Sequence, residues 1–491
     1  MESRASRTWF VLISLVGYIL YFVSGKRSRA QQWLFERFSS LGGIYVKFLQ
    51  LMALRDDASS IQLDQVRNAL TVFDQAKFEP INITALLRSE LGEQANRLQL
   101  HATQPFAAGS FAQVYGATLD GQEVIIKVLR PSVLKHLKSD LSLLGFAAKT
   151  ISIFQSRGLV SFADVFNEFK RVTLREIDYE NELKSALHMA DRLANNAVIH
   201  IPKTYPGLST RYIIVQERIY GLSLTEVLAK EVDNKVRYVW DTIGTNLNYV
   251  LEELAVELVS GTLATDGTHG DPHPGNIYIL PDNHIALIDF GIDITIQENH
   301  PALLELLSEY AALHRGEFNA ERFCQALVSY FVPGLTQSIQ TLSTYLGRQD
   351  LVQRVLQEIG ATAGQTLTER SGDAAISQML QQQRMMYLFI RVINKDNRFG
   401  LQASLEAPAF LRSTQIFFKL VYLLDCDRSV LRNAFERVIA THHDIGEVPG
   451  PRYDIESIDQ SMHMVASWFE RLQYSDPKLY SRIIKTWEQA R

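Results

Sequence analysis

His269-Gly270-Asp271-Pro272-His273-Pro274-Gly275-Asn276 runs into Ile277-Tyr278-Ile279-Leu280 and, after a short hairpin, into Asp289-Phe290-Gly291. An Asp, an Asn five residues on and an Asp-Phe-Gly beyond the hairpin have the spacing at which phosphoryl-transfer sites set a carboxylate beside two Mg²⁺ ligands. The pattern points to ATP chemistry with Mg²⁺. Asp271 is the expected base or nucleophile-orienting group, and Asn276 and Asp289 are the expected metal ligands through hard oxygen atoms. A turn merely rich in Gly, Pro and Asp is the plain alternative, and it leaves the Asp-Phe-Gly in register unexplained.

Phosphoryl transfer also needs the triphosphate held and its charge met by cations. Upstream, Gln113–Leu119 and Gln122–Val128 read as strands flanking Asp120-Gly121, a short-hairpin signature. Lys127 stands on the second strand in Glu123-Val124-Ile125-Ile126-Lys127, where a phosphate-pairing lysine is expected. Helical patterns fill Ser132–Asn195, and Tyr212–Gln216 restores a strand. Gln216-Glu217-Arg218 then falls at the hinge, where backbone groups bind adenine and the Glu217 side chain is a further candidate. Leu222–Leu263 reads as helical, the loop and its hairpin follow, and everything after Pro301 reads as helices. This is the order of an α+β, two-lobed protein-kinase-like fold with an N-terminal helical extension and an all-helical C-terminal region. The expected divisions are 1–30 for a membrane anchor segment, 31–100 for the extension, 101–221 for an N-lobe with a helical insert, and 222–491 for a helical C-lobe.

The 491 residues, 46% of them hydrophobic, suffice for more than one structural unit. A net charge of -5 gives no basic surface of the kind nucleic acid requires. Two cysteines, Cys324 and Cys426, are too few for a disulfide framework or a thiolate metal site. Trp9–Val23 carries no charge, is near the lower length limit for a membrane span, and has aromatics at its ends. Arg4 and Arg7 precede it, and Lys26, Arg27 and Arg29 follow it. That excess favours an anchor with the rest of the chain on the cytoplasmic side, or the matrix side of a mitochondrial inner membrane. A cleaved signal peptide, which would export an ATP-using domain from its nucleotide, and a buried core helix are the alternatives. Beyond it, Gln31–Leu54 and Ile61–Ala76 read as helices, and Thr84–Leu91 as a short helix closed by Gly92.

His-Gly-Asp also occurs in aminoglycoside and choline kinases, so the loop alone does not choose a family. Where protein kinases carry a glycine-rich turn, this chain reads Pro105-Phe106-Ala107-Ala108-Gly109-Ser110-Phe111-Ala112. With Glu176-Ile177-Asp178-Tyr179-Glu180-Asn181-Glu182 and Lys47-Phe48-Leu49-Gln50, that loop resembles the UbiB/ADCK family of atypical kinases. The resemblance implies an alanine-rich nucleotide loop at Ala107, Ala108, Gly109 and Ser110, an ATP-pairing lysine at Lys127 and a helix glutamate at Glu182. It places the family's Glu-x-Asp motif on Glu176 and Asp178, and its Lys-x-Gly-Gln signature on Lys47 and Gln50. In the family that signature lies on a helix covering the site where a protein kinase admits its peptide. Glu176 and Glu182, six apart, lie about 120° from one another around a helix. They can therefore address two cations, taken as Lys47 and Lys127, while a solvated Glu176 and a snorkelling Lys47 are the bland readings.

Three positions depart from the family pattern: Leu49 for the signature glycine, Gly109 for the third alanine, and Ser185 for an asparagine. Leu49 puts tight packing of the covering helix in doubt, and Gly109 permits closer backbone approach to a phosphate. His273 is read as a residue hydrogen-bonded within its turn. The apolar runs at Met385–Ile390 and Phe410–Leu424 are read as core, with a lipid groove as the alternative. The resemblance implies an ATPase that supports isoprenoid-quinone (ubiquinone-like) biosynthesis or lipid homeostasis, with membrane lipids or quinone precursors and quinone-biosynthesis proteins as partners. A kinase for proteins or small molecules and a nucleotide-gated scaffold are the alternatives. Joint retention of Lys127, Glu182, Asp271, Asn276 and Asp289 speaks against a dead pseudokinase.

Overall fold

The computed structural model describes residues 4–41, 44–45, 48, 78–109, 111–154, 166–167, 169–171, 173–174, 177–263, 267–291, 293–294, 300–315, 317, 319–331, 333–347, 354–362, 407–427, 429–442 and 455–489. The chain divides into two compact units. One comprises Met1–Gln155, Ser161–Thr245 and Asp271–Asp293, and the other Ser156–Val160, Asn246–Gly270 and Ile294–Arg491. The sequence reading divides the lobes at 221/222, whereas the first unit runs to Thr245 and takes back the loop and hairpin of Asp271–Asp293.

The first unit is built on two sheets. Strands β1 (Leu98–Leu100), β2 (Ala107–Ala108), β3 (Ala112–Leu119), β4 (Gln122–Leu129) and β6 (Ile213–Glu217) form an antiparallel sheet, ordered β1-β3-β4-β6 with β2 beside β3. The β3–β4 turn works because Asp120 and Gly121 both take positive φ, 50° and 86°, as a two-residue hairpin turn of the right twist demands. Alternation then sorts the side chains. Tyr115, Ala117, Leu119, Val124, Ile126 and Val128 are buried on one face, under Ile83 and Leu87 of α3 (Ile83–Leu91). Lys127 belongs to the opposite face. Helix α3 is capped by the Asn82 side chain, which accepts from Ala85 N, and ends at Gly92 with φ 57°.

The second sheet joins β5 (Ile199–His200), β7 (Leu222–Ser223), β8 (Ile277–Leu280) and β9 (His284–Leu287) in the order β5-β9-β8-β7. Only β5 and β9 are parallel. Three elements here depart from the sequence reading. Leu222–Leu263 opens with β7, and the rest is split into α6 (Leu224–Ala229), α7 (Lys235–Ile243) and α8 (Leu247–Leu263), with Gly244 at φ 71° stopping α7. The short strands β1 and β5 carry too few residues to show a period. Gln31–Leu54 is not one helix, because the helix after α1 (Arg4–Val23) is α2 (Arg27–Ser39), with helical structure resuming at Ile44 and Tyr45. A turn at Ser40 and Leu41 ends α2.

Helices α1 and α2 pack as a hairpin, and α1 also packs on α4 (Pro131–Phe154). The guanidinium of Arg7 donates to both oxygens of Asp140, Nε to Oδ1 at 2.9 Å and Nη2 to Oδ2 at 2.6 Å. Tyr45 lies beside this pair, its hydroxyl 3.5 Å from Asp140 Oδ1 and its ring 5.7 Å from the guanidinium carbon. Helix α5 (Tyr179–Arg192) completes the elements that bear on the site.

Among its described residues the second unit is helical from His300 onward. Tyr310, Phe418 and Phe435 stack against one another with ring centroids 5.1–5.8 Å apart. Arg437 bridges Glu252 and Glu253 of α8. Within Phe410–Leu424, the side chains of Phe417, Leu420, Val421 and Leu424 are buried and Tyr422 is exposed. Met385–Ile390 and Ile61–Ala76 lie outside the described residues.

Candidate active site

The loop from Asp271 to Asn276 is tied by its own backbone. His273 N donates to Asp271 O at 2.8 Å, and Asn276 N donates to His273 O at 2.9 Å. His273 Nδ1 accepts from Gly275 N at 2.9 Å, the within-turn role read from the sequence. Gly275 can be nothing larger, since a Cβ there would lie 2.6 Å from His273 Cε1. The Asn276 side chain is buried and donates through Nδ2 to Asp271 O at 3.1 Å. That bond leaves the amide oxygen as its candidate metal donor. Strands β8 and β9 then return the chain so that Ile288 N bonds Asn276 O at 3.0 Å, which sets Asp289 next to the loop. Asp289 takes φ 63°, in the left-handed region that Asp enters more readily than most residues with a Cβ.

Lys127 meets this segment from β4. Its Nζ lies 2.7 and 2.9 Å from the two oxygens of Glu182, in the first turns of α5, and 2.9 Å from Asp289 Oδ2. Three chain segments thus converge on one ammonium, with the Glu182 side chain 3% and the Lys127 side chain 14% exposed. The ring of Tyr179 sits 5.2 Å beneath Nζ. Burial pulls the ammonium's pKa down, and the carboxylates of Asp289 and Glu182 more than reverse this, holding it well above the ordinary lysine value. Tyr179 was not singled out from the sequence. Its place three residues before Glu182, on the same face of a helix, is the signal that could have found it.

The remaining residues fall as follows. Ala107 and Ala108 form β2, half-buried against β3, and the hairpin tip closes with Gly109 N bonded to Ala112 O at 2.9 Å. Open space surrounds Gly109 where a Cβ would stand. Gln216 is buried in β6 opposite Ile125. The Glu217 carboxylate accepts from Lys203 N and bonds His200 Nε2, both at 3.0 Å, so its side chain is engaged at the sheet edge. Asp178 precedes α5, with its Oδ2 3.4 Å from Arg211 Nη2 and its buried Oδ1 without a hydrogen-bond partner among the described residues. Ser110, Lys47, Gln50, Leu49 and Glu176 lie outside the described residues.

No cluster of three or more His, Cys, Asp or Glu able to hold a metal occurs among the described residues. Mg²⁺ does not need one, because it keeps several waters and takes one or two protein oxygens together with substrate phosphates. The donor set of Asp289 and Asn276 fits that habit. Both carboxylates, Glu182 and Asp289, already face the Lys127 ammonium, so the metal-binding oxygens lie beside a fixed positive charge.

An α+β chain whose strand lysine is held between a helix glutamate and an Asp-Phe-Gly aspartate, with an Asp-to-Asn loop alongside, is protein-kinase-like. The chain belongs, more narrowly, to the ABC1 atypical kinase-like family, the UbiB/ADCK group: residues 71–315 match the ABC1 atypical kinase-like domain. It is similar to an aarF domain-containing protein kinase of the Arabidopsis thaliana chloroplast, 25% identical over 82% of this chain and 72% of that one. It is 29% identical to the probable protein kinase UbiB of Sodalis glossinidius, over 54% of this chain and 49% of that one. A Mycobacterium tuberculosis protein is 29% identical over 59% of this chain and 58% of its own. The chain thus spans about half the length of the UbiB relative it matches. The Mycobacterium tuberculosis Rv3197–erythromycin complex covers 85% of this chain at 19% identity, with a TM-score of 0.45, too low to argue from.

Proposed function

We propose that this chain binds Mg-ATP and hydrolyses it at a membrane surface, in support of isoprenoid-quinone synthesis or lipid homeostasis. The observation that carries the ATP reading is the single ammonium of Lys127, shared by Glu182 and Asp289 at 2.7–2.9 Å. Glu182 fixes the reach of Lys127 toward phosphate oxygens, and the Ala107–Gly109 hairpin covers them with backbone. Asp289 and Asn276 are the residues that would hold Mg²⁺, which when bound supplies charge neutralisation on the phosphates. Asp271 accepts the proton of the attacking water on its carboxylate. The quinone or lipid role rests on the UbiB name of relatives such as that of Sodalis glossinidius. Membrane lipids, quinone precursors and proteins that process them are the partners that reading implies.

Phosphate release by the full-length protein, with and without liposomes, tests the reading beside Asp271→Asn, with label transfer assayed in the same samples. Release lost in the variant and unaccompanied by labelled protein is the expected result. Label on a protein or small molecule makes the chain a kinase, and ATP binding without turnover makes it a scaffold.

A further inference from the structure

Helix α1 is apolar on two opposite sides, and among the described residues only one is covered. Val11, Ser14, Leu15 and Tyr18 are buried, in line with Arg7 and its bond to Asp140. The Trp33 indole of α2 closes on the same helix, donating from Nε1 to Ser14 O at 3.1 Å. At about 100° per residue, Trp9, Ile13, Val16, Leu20 and Val23 are centred on the far side. These five are exposed, from 53% for Ile13 to 72% for Val23. They follow one another at steps of four and three residues, a straight stripe of about 21 Å.

By length and composition α1 can cross a bilayer, but the window that qualifies, Ser6–Val23, contains Arg7. A spanning α1 would have to break the Arg7–Asp140 pair or carry Asp140 of α4 into hydrocarbon. We propose instead that α1 lies in the plane of the bilayer, its Trp9-to-Val23 stripe sunk into an anionic lipid surface while its other side stays fastened to α2 and α4. Charge selects that occupant. Between Ser3 and Phe35 the chain has no carboxylate and, apart from Arg7, which Asp140 neutralises, four cations, Arg4, Lys26, Arg27 and Arg29. Lys26 and Arg29 are exposed just beyond the stripe. A second copy of this face would bring only like charges, whereas anionic headgroups complement them.

The inference refines the membrane part of the proposed function and is independent of its ATP chemistry. The test is flotation of the full-length protein with phosphatidylcholine vesicles, with and without phosphatidylglycerol. Wild type is expected to bind the anionic vesicles, and Val16→Glu with Leu20→Glu to lose more than about tenfold in affinity. Thermal unfolding and ATP binding of that variant are expected to be unchanged, because both side chains are exposed. Lys26→Glu with Arg29→Glu is expected to abolish the preference for phosphatidylglycerol. Failure of wild type to bind either vesicle overturns the membrane reading as a whole. Binding that the stripe variant leaves intact overturns this inference alone. So does a dimer that the stripe variant dissociates without vesicles, or retention through alkaline extraction with the first residues labelled only from the far side.

Discussion

Two buried ion pairs in the first unit join distant parts of the chain, and they differ in arithmetic. Arg7 and Asp140 meet one to one, guanidinium fork to carboxylate, with Tyr45 alongside. Lys127 meets two carboxylates, one of them nearly sealed and the other, on Asp289, 39% exposed. The first arrangement is neutral and closed, so it can only hold helices together. The second is open on the Asp289 side, where the carboxylate is 39% exposed. A closed pair can serve only architecture, whereas an open one can also meet a ligand.

Replacing each pair by apolar residues sharpens this contrast most. Lys127→Met with Glu182→Leu is expected to keep the fold, since well-packed apolar substitutes for a buried pair are often neutral in stability. It should nevertheless cut ATP turnover roughly a thousandfold. Arg7→Met with Asp140→Leu should leave both melting temperature and ATP turnover near wild type. Equal loss of turnover in the two doubles would erase the distinction. Halving the closed pair comes next: Asp140→Ala strands a guanidinium that is 13% exposed and should lower unfolding stability by about 3 kcal/mol in urea titrations. Gly17→Ala attacks the same helix hairpin by shape alone, because its Cβ would fall on the Trp33 indole; a loss of about 1–3 kcal/mol is expected in the same titration.

The smallest effect is one of pH. The folded-state pKa of Lys127 is raised above its ordinary 10.5, so its pairing contributes fully below that value and is lost only as pH climbs through the raised one. Stability measured from pH 7 to 10 should therefore show no decline in wild type that Lys127→Met lacks. A decline specific to wild type in that range would contradict the shift.

Local chemistry was legible in the sequence and distant pairing was not. The Asp120-Gly121 turn and the Gly92 stop each follow from the residues that occupy them, and His273 found its partner two residues away. The pairing of Glu182 with Lys127 follows the expectation that the two glutamates address Lys47 and Lys127, whereas the contact of Asp289 with the same ammonium is visible only in the structure. Arg7 and Asp140 lie 133 residues apart and advertise nothing, so α1 looked uniformly apolar. Glu217 carried a plausible hinge position, but His200 of β5 and Lys203 just beyond it claim its carboxylate, and two residues of strand are too few to show a pattern.

The second sheet carries a consequence for how the protein is made. Its outer strands, β5 and β7, leave the ribosome before β8 and β9, which fill the middle of the sheet. At ordinary synthesis rates the 54 residues from Ser223 to Ile277 take roughly 3–11 s to appear. Throughout that interval two strand edges have nothing to pair with, and a nascent chain halted there already owns Lys127 and Glu182 but neither Asn276 nor Asp289. The newborn polypeptide is then an aggregation hazard that a chaperone would have to shield, and the Lys127–Asp289 contact arrives only after the last strands.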